Sequence, residues 1–188
     1  MGMPAERSHW TAEMVRALPD DGKRYEVLDG ELLVSPSPSP PHQRAVQELL
    51  VLLRLYVATN SLGEVFVAPA DVEFSDDRMV QPDVFVAPEI VTTWREMKVP
   101  VLIIEVLSSS TARNDRINKR RVYQEERIPE YWIVDIEGSL VERWVPDELR
   151  PEILTEAITW QPRPDLAPLD IDLTKFFHTV LTGVQLDT

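Results

Sequence analysis

The 188-residue chain contains no cysteine. That excludes disulfides and thiolate metal sites and points to a reducing cytoplasm. Also missing is any apolar run long enough to span a membrane, and Met1 to Leu18 is too polar for a signal peptide. Positive charge is scarce: 19 Lys and Arg stand against 32 Asp and Glu, a formal net charge of −13. A protein that coats nucleic acid nonspecifically needs cations for the phosphates, so that class is disfavoured, whereas a local basic surface or a metal-bridged contact is not. Internal repeats and an inter-domain linker are absent from the pattern. With 44% apolar and 27% charged residues the composition is that of a soluble globular protein. The length is that of one domain, 1–188, large enough to bury a substantial core.

The chain is organised around Val101 to Lys119, VLIIEVLSSSTARNDRINK. Its first seven residues are apolar except for Glu105 and read as a strand covered on both faces. An ionised carboxylate buried there without a partner costs several kcal/mol or takes up a proton. Ser108, Ser109, Ser110 and Thr111 then offer hydroxyls for a helix N-cap, and a helix is expected to about Arg127. Glu105 lies roughly 10 Å before the end of its strand, at about 3.3 Å per residue. Lys119 lies about 12 Å down a returning helix, at about 1.5 Å per residue, so the two side chains come back to the same level. Lys119 shares a helical face with Ala112, Asp115, Val122 and Tyr123. The same helix carries Arg113, Arg116, Arg120, Arg121 and Arg127, a cationic island on an acidic chain that also fits a plain solvated face.

Before this stretch, Thr11 is expected to cap a short helix over 12–18, and residues 1–9 to be loose. Arg24 to Asp29 and Glu31 to Val34 form a hairpin turned at Asp29-Gly30, with Glu26, Asp29 and Glu31 read as exposed turn and edge residues. The proline-rich connector at 35–41 delivers the chain to a largely buried helix from His42 to about Asn60. His42, at its N-terminus, reads as structural or solvent-exposed. Period-two patterning predicts strands at 64–68, 71–74 and 80–87, the last carrying Asp83 after Pro82. After the helix come strands at 130–136, 139–145 and 152–160 and a closing helix near 173–180. The order implies an α/β domain with a mixed sheet flanked by helices, plus an extra N-terminal hairpin.

Asp83 and Glu105 on neighbouring strands form a hard-oxygen pair suited to Mg²⁺, with Mn²⁺ as a substitute and the Val106 backbone carbonyl as a further ligand. Such a cation polarises a phosphodiester and lowers the pKa of a bound water, and a nearby Lys119 orients that water or stabilises developing charge. The chain resembles the Uma-two family of putative restriction endonucleases, within the PD-(D/E)XK nuclease superfamily. The resemblance is carried by YEVLDGEL at 25–32, HQRAVQELL at 42–50, QPDVFVA at 81–87 and IIEVLSSST at 103–111. The spacing of Asp115, Lys119 and Tyr123 and EYWIVD at 130–135 complete it. It implies a restriction-endonuclease-like core, with Asp83 and Glu105 as metal-binding acids of a Mg²⁺-dependent DNA endonuclease. The superfamily motif places lysine two residues after the acid, where this chain has Leu107; the role passes to Lys119. Arg113, Arg116 and Arg120 become candidate phosphate contacts, with Asp115 and Tyr123 in support. Asp115 reads as a first-turn helix acid or a partner holding Lys119. DNA is the expected partner, and a homodimer fits because paired subunits often cut both strands.

Two alternatives stay open on the sequence. Glu105 could sit in a salt-bridged core of doubtful net stability. The whole fold could serve as a catalytically inactive binding or assembly module.

Overall fold

The computed structural model describes residues 9–108 and 112–185. Of the start expected to be loose, 1–9, residues 1–8 lie outside the described residues, as do the expected caps at Ser109, Ser110 and Thr111. The Thr11 hydroxyl accepts from the Met14 N–H and opens α1 (Ala12–Arg16). The hairpin forms as β1 (Arg24–Leu28) and β2 (Glu31–Ser35). Asp29 and Gly30 take φ of 49° and 77° at its turn, the left-handed pair whose twist matches that of the flanking strands. Ser39 caps α2 (Pro40–Thr59), whose prolines occupy the first turn, where their missing N–H costs nothing.

The next strands are β3 (Glu64–Val67), β4 (Val72–Ser75), β5 (Arg78–Val80), β6 (Val84–Ala87) and β7 (Leu102–Val106). A helical stretch follows from residue 112, with π-type turns over Asn114–Lys119 leading into α3 (Arg120–Glu125). Then come β8 (Glu130–Asp135), β9 (Leu140–Trp144), β10 (Glu152–Leu154), β11 (Ala157–Trp160), β12 (Leu169–Asp172) and α4 (Leu173–Thr182).

Among the described residues the central sheet has six strands in the order β10-β9-β8-β7-β6-β3. Only β7 and β8 run parallel, with α3 as their crossover; the other pairs are antiparallel, so the sheet is mixed as expected. A second, antiparallel sheet has the order β2-β1-β5-β4, and β11 pairs with β12.

Two expected strands are each divided. The run at 80–87 breaks at Gln81-Pro82-Asp83, with β5 in the small sheet and β6 in the central one. Pro82 has no N–H for a ladder, so the chain changes sheets there. The run at 152–160 likewise splits into β10 and β11.

β7 is buried along its whole length and its side chains serve two cores. Leu102, Ile104 and Val106 pack with Leu49 and Leu53 of α2 and Phe177 of α4. Ile103 faces the other way, with Phe85, Ile133, Leu28, Val122 and Tyr123. Each such apolar side chain contributes about 1.5–3 kcal/mol on burial, enough for the strand to carry one costly polar residue. That residue is Glu105, and alternation puts it on the Ile103 side, beneath the small sheet and α3.

Candidate active site

The site lies where β6 begins and β7 ends. Val84 pairs with Ile104, so one step further brings Asp83 opposite Glu105, both on the same face. There the ladder has ended, and the Val106 N–H donates instead to Asp83 Oδ2 at 2.8 Å. His42 Nε2 lies 3.2 Å from the same oxygen, and Arg24 Nη1 donates to Oδ1 at 2.6 Å. Asp83 is only 2% exposed. Burial alone pushes its carboxyl up, but the His42 hydrogen bond and the Arg24 charge outweigh that and hold it well below the usual range.

Glu105 is treated differently. Its Oε1 accepts from both Lys119 Nζ and the Tyr123 hydroxyl, each at 2.9 Å. Lys119 is not its own, however. The same ammonium lies 2.9 Å from Glu26 Oε1 and 3.7 Å from Asp115 Oδ1. Glu26 in turn accepts the Gln81 N–H at 2.7 Å. Burial pushes the Glu105 carboxyl up; Lys119 opposes this, and the neighbouring charges of Asp115, Asp83 and Glu26 add to it, leaving a value of about 8. For Lys119 burial works downward, yet Glu105, Glu26 and Asp115 together raise its pKa, so it stays protonated.

Among the described residues four buried acids, Glu26, Asp83, Glu105 and Asp115, thus meet two basic side chains, Arg24 and Lys119. The preponderance of acidic groups and the oxygen donors are of the kind a hard divalent cation takes, binding through one or two carboxylates and keeping several waters. Among the described residues no three His, Cys, Asp or Glu side chains are grouped so as to hold a metal ion, so a cation here would rest on two acids completed by water or substrate oxygens. A groove of about 1030 Å³ opens onto this corner and is lined by Arg24, His42, Asp83 and Leu107. Pro36 and Pro38 of the connector form part of its wall.

The family model described as "Putative restriction endonuclease" (Uma2) matches residues 12–174. The chain belongs to that family. No curated protein matches it. Among solved structures it is similar to a putative nuclease belonging to DUF820 from Anabaena variabilis, with a TM-score of 0.72 at 16% identity. That likeness covers 90% of this chain and 98% of the other, and it shows a shared fold, here a mixed sheet flanked by helices.

In this Uma2 chain the level-matching of Glu105 and Lys119 corresponds to a direct 2.9 Å contact. Asp115 and Tyr123 both join the network. At Asp83 the contribution of Val106 is its amide N–H. The cationic island is mostly occupied elsewhere. Arg116 bonds Asp135 at 2.8 Å and Glu142 at 2.7 Å, and Arg120 bonds the Arg116 carbonyl and Gln124 while lying over the Trp144 ring. Arg113 is exposed.

Glu26 and Arg24 were not expected at the site. Glu26, read as an edge residue, is 1% exposed. His42, read as structural or solvent-exposed, takes the first of these courses and is buried against Asp83. Arg24 carried no reading of its own. The sequence offered little signal for the hairpin pair, because both faces of β1 are covered. Val27 meets Ala12 and Val15 of α1 on one side. Leu28, on the same face as Arg24 and Glu26, meets the central core on the other.

Proposed function

We propose that the protein is a metal-dependent endonuclease that hydrolyses DNA phosphodiester bonds. The observation that carries this reading is that Asp83 lines an open groove while Glu105 lies buried behind it at the end of the adjacent strand, in a cluster with more acidic groups than cations. Asp83 and Glu105 are the residues that would hold Mg²⁺ or Mn²⁺. Bound there, such an ion supplies a Lewis acid for the phosphodiester and lowers the pKa of a coordinated water.

The chain's own groups have separable tasks. Tyr123 and Lys119 fix the Glu105 carboxylate in one orientation. Lys119, kept protonated by three acids, also places a permanent positive charge beside the site for negative charge that develops on the phosphate. The Val106 amide and His42 hold Asp83 Oδ2 in place.

Labelled single- and double-stranded DNA should be cut only with Mg²⁺ or Mn²⁺ present. Cutting should fall by on the order of a hundredfold or more in Glu105→Ala. Full activity in that variant would refute the assignment.

One observation favours a second reading, an inactive binding or assembly module: both Asp83 oxygens already carry partners. Calorimetry showing no Mn²⁺ binding, with or without DNA, would select it.

A further inference from the structure

We propose that Arg24 is an exchange residue: it holds Asp83 when the groove is empty and moves to a substrate phosphate when the cation arrives. The inference rests on the nuclease reading of the same site and adds a residue and a coupling that the reading does not contain.

The Arg24 guanidinium, 2.6 Å from Asp83 Oδ1, takes one lone pair of that oxygen and repels a second cation approaching it. Of the three partners of Asp83, the Val106 amide is fixed backbone of β7. His42 is anchored on α2 and its side chain is 10% exposed. Arg24 is the partner able to leave. Its side chain is 20% exposed, it lines the groove, and it reaches Asp83 on a long stem from the other sheet.

Departure alone is unfavourable, since it would leave Asp83 buried without its guanidinium partner. A divalent cation replaces the lost charge at Asp83, and a phosphodiester gives the guanidinium a new partner of matching geometry. Cation and substrate therefore bind with positive coupling, and Arg24 is the element through which each favours the other. Arg116 and Arg120 do not share this role, because carboxylates and the Trp144 ring already engage them away from Asp83.

The test uses the full chain and calorimetric titration with Mn²⁺, alone and with a phosphorothioate DNA duplex. In the native protein the duplex should tighten Mn²⁺ binding about tenfold, a common size for coupling between two sites. In Arg24→Met, Mn²⁺ alone should bind about tenfold more tightly than to the native protein. In the same variant the duplex should add less than about twofold, while duplex affinity itself drops about tenfold. Arg24→Lys keeps a cation on Asp83 and guards against misfolding of the first variant; its coupling should fall at least about threefold. Mn²⁺ affinity unchanged or weakened in a folded Arg24→Met, or full coupling in Arg24→Lys, overturns the exchange while leaving the nuclease reading intact. No Mn²⁺ binding to the native protein, even with duplex, overturns both.

Discussion

Asp83 and Glu105 face each other across neighbouring strands, almost fully buried to the same degree, yet they settle their charge in opposite ways. Asp83 has a guanidinium on one oxygen and an imidazole and a backbone amide on the other, and its carboxyl is held low. Glu105 shares a single ammonium with Glu26 and Asp115, and its carboxyl is pushed up to about 8. Burial is common to both, so it cannot explain the difference. What differs is the number of donors and cations each carboxylate has to itself. The pair thus combines one acid that stays ionised with one that readily takes a proton, a division that active sites often use.

Removing the shared cation should give the largest effect. Lys119→Met takes the shared ammonium away from Glu26, Glu105 and Asp115 and should destabilise the protein by about 3–5 kcal/mol in urea unfolding. A loss below about 1 kcal/mol would mean that the acids hold protons instead of sharing the ammonium.

Neutralising each acid in turn sharpens the contrast. Asp83→Asn strips Arg24 of its partner and should cost about 1–3 kcal/mol. Glu105→Gln takes one acid out of the cluster and should leave the melting temperature unchanged or higher. Equal losses in the two variants would break the comparison.

Titration spreads the same contrast over several pH units. Glu105 has a folded-state pKa above its unfolded value, so stability falls as pH rises from about 4.5 toward 8. Asp83 is shifted down, so its contribution is present above its unfolded value of about 3.8 and is lost as pH falls further. Stability should therefore peak near pH 5, and Glu105→Gln should flatten the neutral limb only. A neutral limb unchanged in that variant would assign the slope to another group.

The smallest effect belongs to the helix surface. Arg116→Ala breaks partly exposed bridges to Asp135 and Glu142 and should cost about 1 kcal/mol or less in the same unfolding assay.

The parts legible in the sequence were those written in local periodicity and turn chemistry. The apolar run at 101–107 marked β7 and Asp29-Gly30 marked the hairpin, whereas α2 begins at Pro40, inside the stretch read as an extended connector, because two prolines fit a helix's first turn. The rise per residue of strand and helix sufficed to bring Lys119 to Glu105. The break at Gln81-Pro82-Asp83 was marked by Pro82, but that it carries the chain from one sheet into another was not.

By itself, then, the sequence determined which segments form strands and helices, and that a carboxylate would lie inside the central strand. Only the tertiary structure decided who meets that carboxylate and its neighbour. Arg24 reaches Asp83 across 59 residues of chain, and Glu26 turns inward because the small sheet happens to be covered on both faces. Periodicity specifies which residues share a face; the partner a face acquires depends on how separate sheets stack, and that is settled by the joint packing of distant segments.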